Sequence, residues 1–259
     1  MFVDTHTHLY GTAFDADREL AVKRCLENKV SRLYLPGIDL EAAHHIFQMQ
    51  SDYPDYCFPM IGLHPCAVDE KYKKQLEELQ LLYHQHSKSV VAIGEIGLDY
   101  YHDKTFTQQQ DEAFRFQIEW ALSVNLPIVL HVRNAFNEVL EVLKDYKHKN
   151  LKGIFHCFPG NVIQAKQALA MGDFKFGVGG VVTFKKSDIQ EVVRELPLDL
   201  LVLETDAPYL TPAPYRGQRN ESAYIPIIAQ KVAEIKNISI ETVAQQTTAT
   251  AMAIFHPNK

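Results

Sequence analysis

Apolar and β-branched residues gather along this chain in eight short runs: Phe2–Leu9, Arg32–Ile38, Phe58–His64, Val90–Leu98, Ile128–Val132, Gly153–Phe158, Lys175–Gly179 and Leu200–Asp206. Between them the period changes. In Asp111–Leu122 the residues Phe114, Ile118 and Leu122 recur every four positions with charges between, the spacing of one helix face. Similar patterning predicts helices over Asp15–Asn28, Lys71–His86, Thr107–Val124 and Ala135–Lys147, with Tyr224–Lys236 and Ser239–Phe255 closing the chain. Near-continuous apolar strands alternating with helices predict a parallel sheet covered on its outer face.

Eight such units in 259 residues come to about 32 residues each, close to the repeat of a (β/α)8 TIM barrel. A doubly wound open sheet is the competing α/β arrangement, but the candidate ligands come from too many strands to meet at one crevice. No low-complexity linker or repeat divides the chain, so residues 1–259 are expected to form a single TIM-barrel hydrolase domain.

Composition sets limits. Hydrophobic content of 46% and charged content of 22% are those of an ordinary globular protein. A net charge of −6 argues against a bulk-charge nucleic-acid binder, while leaving room for a local basic rim that serves one strand end. Cys25, Cys57, Cys66 and Cys157 form no CxxC pair, which fits reduced thiols. No apolar run reaches the roughly 18 residues of a membrane span. A cleavable leader is not expected, because Asp4 interrupts the first run and cleavage would remove His6 and His8. The expected setting is cytoplasmic, with no membrane and no obligate protein partner.

The first run ends in Asp4-Thr5-His6-Thr7-His8. Side chains two apart on a strand face the same way, so His6 and His8 can reach one ion with Asp4 below them. Five more segments place an ionisable residue near a strand's C-terminal end: Gly62-Leu63-His64-Pro65, Gly94-Glu95-Ile96-Gly97-Leu98-Asp99, Leu130-His131-Val132-Arg133, Phe155-His156-Cys157-Phe158 and Glu204-Thr205-Asp206. In a barrel those ends converge on the face where active sites sit. Burying so many polar groups unpartnered would cost roughly 1–3 kcal/mol each, and a metal cluster removes that cost.

Mixed imidazole and carboxylate ligands suit zinc, manganese or magnesium, and the absence of inward cysteines disfavours a closed structural zinc site. Two divalent ions are expected, with His6, His8 and Asp206 on one, His131 and His156 on the other, and Glu95 bridging. Two ions roughly 3.5–4 Å apart can share a hydroxide and clamp both oxygens of an in-line displacement. Asp206 is also the best general base. Glu204, one layer deeper on its strand face, is expected to orient a ligand histidine or His64. His64 is expected to contact substrate or the outer edge of the ion site.

Arg133 shares a strand face with His131 and offers a fork for a phosphate oxygen. The proline-rich loop Ala207–Ala223 carries Arg216 and Arg219, expected over the mouth, and Tyr209 and Tyr215, candidates for stacking a terminal base. Lys185 and Lys186 read as a solvated charge pair. His44, His45, His84, His86, His148 and His256 fall in polar helical or terminal stretches and read as exposed.

These segments resemble the TatD-type metal-dependent deoxyribonucleases nearly end to end. The matching motifs are Asp4 to His8, Gly62 to Pro65, Gly94 to Tyr100, His131-Val132-Arg133, Phe155 to Gly160, Gly179 to Phe184 and Glu204 to Leu210, extended by Pro214-Tyr215-Arg216-Gly217 and Arg219-Asn220-Glu221. The resemblance implies a TIM-barrel hydrolase with two divalent metals, often a 3′–5′ exonuclease on DNA, with ligands at the positions argued above. Some relatives are credited with removing D-amino acids from tRNA, so an ester substrate fits the same implied site. The chain departs from the family pattern at Cys66, Asn134, Ser222 and Thr250, where His, Asp, Pro and Asn are usual.

The leading expectation is therefore a phosphodiesterase acting on single-stranded nucleic-acid ends. The alternative is an amide or ester hydrolase, such as a D-aminoacyl-tRNA deacylase, on the same binuclear site. Many amidohydrolase barrels bridge their metals with a modified lysine on the fourth strand, where this chain presents Glu95. A non-catalytic scaffold would be expected to have lost a ligand, and none is missing.

Overall fold

The computed structural model describes residues 1–256. Eight strands follow one another around one sheet in chain order: β1 (Phe2–Asp4), β2 (Val30–Leu35), β3 (Cys57–Ile61), β4 (Ala92–Asp99), β5 (Ile128–Arg133), β6 (Lys152–Phe155), β7 (Asp173–Val178) and β8 (Leu201–Leu203). Neighbours pair in parallel, for example Leu33 with Cys57 and Phe155 with Phe176. The ring is completed between the segments that leave β8 and β1. Thr5 N–H donates to Leu203 O at 3.0 Å, Asp206 N–H to His6 O at 2.9 Å and His8 N–H to Ala207 O at 2.8 Å. Asp4 ties the same seam, its carboxylate accepting from both the backbone N–H and the hydroxyl of Thr205. The expected barrel is formed.

Helices cover the outside: α1 (Arg18–Glu27), α2 (Leu40–Asp52), α3 (Tyr72–His86), α4 (Thr107–Val124), α5 (Phe136–Lys144), α6 (Val162–Leu169), α7 (Ile189–Glu195), α8 (Ile225–Lys236) and α9 (Ile240–Phe255). Their starts are chemically marked. Asp39 and Ser239 accept from the N–H groups of Ala42 and Thr242, and Asn161 with Gln164 forms a capping box. Helix α4 ends at Asn125, which takes the left-handed backbone that stops a helix. It buries Phe114 and Ile118, the face its period predicts. Among the described residues no helix is long and apolar enough to cross a membrane.

Six strands stop short of the apolar runs that predict them: β1 at Asp4, β2 at Leu35, β3 at Ile61, β6 at Phe155, β7 at Val178 and β8 at Leu203. At β6 and β8 the cause is local: Cys157 and Asp206 turn left-handed, at φ 42° and 56°, and leave the ladder. Two of the histidines expected at the surface are half-buried instead. His86 stacks on Phe47 at 3.9 Å, and His256 lies against Tyr34 and Phe58.

Two apolar clusters hold the fold. The larger fills the space between sheet and helices. The smaller contains Val3, Tyr34, Met60, Ala92, Val129, Ile154 and Val202 with Ala251, Ile254 and Phe255 of α9. Residues from seven strands can meet in this way only inside the barrel, so α9 plugs the end where the strands begin.

Candidate metal centre

The inner cluster sets the phase on β5, β6 and β8, while β1 and β4 shift register, and His6 and Glu95 each come three residues beyond the inner residues Val3 and Ala92. Two residues beyond Val129 on β5 comes His131; two beyond Ile154 comes His156; two and four beyond Val202 come Glu204 and Asp206. Alternation therefore carries these side chains into the barrel one layer above the apolar floor. Glycine makes room for one of them: a Cβ at Gly177 would stand 2.3 Å from Glu204 Oε2.

Glu95 is the hub. Its oxygens lie 2.9 Å from His131 Nδ1, 3.2 Å from His6 Nε2, 3.6 Å from His64 Nε2 and 3.8 Å from His156 Nε2. Asp206 Oδ1 is 3.3 Å from His8 Nε2 and 3.8 Å from both His6 Nε2 and His156 Nε2. The rings of His6 and His156 stack at 3.4 Å. Donor atoms within 4.8 Å of one another form three overlapping sets: His6, His8 and Glu95; His6, His156 and Asp206; His64, Glu95 and His131. All six expected ligands thus share one cluster, but the grouping differs from the sequence reading. His156 stands with His6 and Asp206, and His64 joins His131. Order along the chain is order around the ring, so β3, β4 and β5 contribute one set while β6, β8 and the segment after β1 contribute another.

Hydrogen bonding tests whether a cation fits here. Tyr10 donates its only hydroxyl proton to Pro36 O at 2.7 Å, so it accepts from His8 Nδ1 at 2.8 Å. In neutral His8 the lone pair is then on Nε2, aimed at the Asp206 oxygen. Two lone pairs facing across 3.3 Å repel, and a divalent cation turns both into ligands. His6 is fully buried with neither ring nitrogen hydrogen-bonded, an arrangement a protein interior otherwise avoids. His131 meets carboxylates at both nitrogens, Glu95 at 2.9 Å and Asp99 at 2.8 Å, and a carboxylate behind the ring is how metal-binding imidazoles are commonly oriented. The donor set fits a divalent cation.

Charge balance points the same way. Burial opposes charge on His156, but Glu204, Glu95 and Asp206 outweigh it and push its pKa up to about 10. Burial is likewise overcome at His131, where hydrogen bonds to Asp99 and Glu95 raise it to about 9. His6 goes the other way, lowered by burial and by the charge of His156. Burial also resists ionisation of Glu95 and Asp206, yet the surrounding imidazoles hold both below the usual carboxylate range. The acids are anionic at neutral pH and require positive charge beside them, as protons on imidazole or as bound cations.

Glu204 Oε1 accepts from Cys157 N–H at 2.5 Å and lies 3.1 Å from His156 Nδ1. A cavity of about 460 Å³ opens beside His131, His156 and Asp206, walled by Phe158, Ile189 and Leu210, with Arg133 and Lys186 among its polar groups. Lys185 and Lys186 are both exposed, as the sequence reading expects, and Lys186 also borders the cavity. The Arg133 guanidinium lies over Tyr101 at 4.2 Å. Arg216 is exposed over Phe184 at 3.9 Å. Arg219 is engaged elsewhere, held by Asp17 at 2.7 and 2.8 Å and by Glu221 at 2.9 Å. Tyr209 is exposed, its ring 6.2 Å from that of His8, while Tyr215 stacks on Tyr224.

Two residues around the cluster escaped the sequence reading, Tyr10 and Asp99. Asp99 carried a usable signal, standing four positions after Glu95 on one strand. Tyr10 carried none, since its partner Pro36 O belongs to the chain beyond the next strand.

The sequence profile of the TatD-related DNases matches residues 3–256. The chain belongs to that family. It is accordingly an enzyme of the metal-dependent hydrolase class. An uncharacterized metal-dependent hydrolase of the family, YabD of Bacillus subtilis, is 40% identical over 259 residues, spanning 100% of both chains. The 3′-5′ ssDNA/RNA exonuclease TatD of Erwinia tasmaniensis is 32% identical over 98% of this chain and 99% of its own. The crystal structure of YJJV, a TatD homologue from Escherichia coli, superposes with a TM-score of 0.91 at 28% identity, covering 98% of this chain and 97% of that one.

Proposed function

We propose that this chain is a deoxyribonuclease that shortens single-stranded ends in the 3′–5′ direction, using two divalent ions of the zinc, manganese or magnesium group. The observation that carries the reading is the shared cavity, which His131, His156 and Asp206 line together with Arg133 and Lys186. Cations placed against a carboxylate–imidazole cluster suit a phosphodiester, whose charge they neutralise. The name of the Erwinia relative, a 3′-5′ ssDNA/RNA exonuclease, supports the same substrate class.

In this proposal His6, His8, His156 and Asp206 would hold one ion and His131 the other, with His64 and Glu95 as further donors. When bound, the ions supply Lewis acidity and make water acidic enough to attack at neutral pH. Asp206, held ionised by the imidazoles around it, would be the group that accepts a proton from the attacking water. Glu204 fixes the His156 ring through Nδ1. Arg133 and Lys186 hold the phosphate in line for displacement while Phe158, Ile189 and Leu210 receive the terminal nucleoside. Glu95, Asp206 and Glu204 carry the catalysis, and a cytoplasmic setting belongs to the same proposal.

The test is digestion of end-labelled single-stranded DNA with defined metals, beside an aminoacyl-tRNA ester. Stepwise loss from the 3′ end, abolished in Glu95→Ala and Asp206→Asn, is the expected result. Digestion that persists in both variants, or ester cleavage without DNA cleavage, overturns the proposal.

A further inference from the structure

Asp99, at the end of β4, faces two imidazoles. Its Oδ2 lies 2.8 Å from His131 Nε2 and 2.9 Å from His102 Nδ1. Cys66, in the turn after β3, presents its sulfur 3.7 Å from that same His102 Nδ1. Sulfur, nitrogen and carboxylate oxygen all lie within 4.8 Å of one another.

The shared nitrogen decides between two readings. A cysteine nucleophile driven by a histidine–carboxylate relay needs thiol and acid on opposite nitrogens of the ring. Here both meet Nδ1, so the three donors converge on one point and cannot pass a proton along a line. Convergence is what a metal ion requires. In a tetrahedral site with metal–sulfur near 2.3 Å and metal–nitrogen near 2.0–2.1 Å, sulfur and nitrogen stand about 3.6 Å apart. The 3.7 Å separation in this turn is close to that spacing, and the 2.9 Å hydrogen bond between Asp99 Oδ2 and His102 Nδ1 would open to about 3.4 Å around an ion.

We propose that Cys66, Asp99 and His102 form a further cation site, distinct from the central cluster, for a borderline-soft divalent ion of the zinc class. The thiolate selects against magnesium and calcium, which prefer oxygen. Cys66 and His102 are both exposed, which leaves a coordination position open to solvent. Asp99 connects the site to the centre through His131 and Glu95. A cation here withdraws negative charge from the carboxylate that steadies His131.

The experiment compares wild type, Cys66→Ser, His102→Ala and Cys157→Ser, each as the full chain stripped of metal and reloaded with Co²⁺. The wild type and Cys157→Ser should show a thiolate-to-cobalt charge-transfer band in the near ultraviolet. Cys66→Ser should lose the band, and both Cys66→Ser and His102→Ala should bind one ion fewer per chain than wild type. Cys66 and His102 are at the surface and Cys157 is half-buried, and circular dichroism checks that each variant is folded. Equal metal content in all four proteins, or a band that survives Cys66→Ser, overturns the site. Neither readout depends on nuclease activity, so failure here leaves the proposed function standing and the converse also holds.

Discussion

The two ends of this barrel are made from the same strands and do opposite things. Where the strands begin, Val129, Ile154 and Val202 meet Phe255, whose ring stacks on Tyr34 at 4.2 Å. Two residues later the same strand faces carry His131, His156 and Glu204. The floor buries apolar surface and stabilises the fold. The upper layer buries ionisable groups, which costs stability unless opposite charge is supplied. On β5, β6 and β8 a strand thus passes from structure to chemistry in one period of its pleat, at the end of the barrel where such sites sit.

The contrast is broken most strongly at the upper layer. Glu95→Ala and Asp206→Asn are each expected to reduce turnover about 10²–10⁴-fold, while the thermal midpoint of the metal-free protein stays level or rises. Initial rates and melting curves on the same samples decide it, and a large fall in midpoint would show that this layer also carries stability. At the floor the expectation inverts. Phe255→Ala should cost about 3–5 kcal/mol in urea unfolding, with kcat unchanged per folded molecule. A selective loss of kcat would mean that the two ends communicate.

Smaller effects sharpen the picture. Lys186→Ala should raise KM about tenfold at low ionic strength and less in high salt, with kcat nearly preserved. An unchanged KM would remove Lys186 from substrate binding. At the outer rim, Arg219 and Arg24 grip Asp17 and hold its carboxyl below the ordinary value of 3.8. A depressed folded-state pKa stabilises the protein above the unfolded value and loses that contribution as pH falls through the folded one. Asp17→Asn should therefore cost at most about 1 kcal/mol at pH 7. The two unfolding curves should draw together as acidity increases below pH 4. A constant gap across that range would show that the ion pairs contribute nothing.

The barrel was legible because its signals are local: each strand reads as an apolar run, and Thr107–Val124 reads as the helix that forms there. That the six candidate ligands gather in one cluster was legible for the same reason, each marking the end of a run. Their grouping was less so, since it depends on angular position around the ring, although chain order already encodes it for a parallel barrel. His8 shows what local reading misses, because its tautomer is set by Tyr10 and the carbonyl of Pro36. Arg219 shows the reverse: a loop arginine looks available until Asp17 and Glu221 are folded against it. Lys186 is exposed, as its sequence suggests, but nothing nearby in sequence tells that its loop borders His156.

The seam that joins Thr5 to Leu203 and Asp4 to Thr205 has a consequence for timing. The segment after β1 is synthesised well before β8, which in turn precedes the helix that stoppers the floor. A chain that stops before β8 holds His6 and His8 but neither Asp206 nor a closed ring. The cluster is therefore assembled across the length of the chain, and it cannot form around the first strand alone.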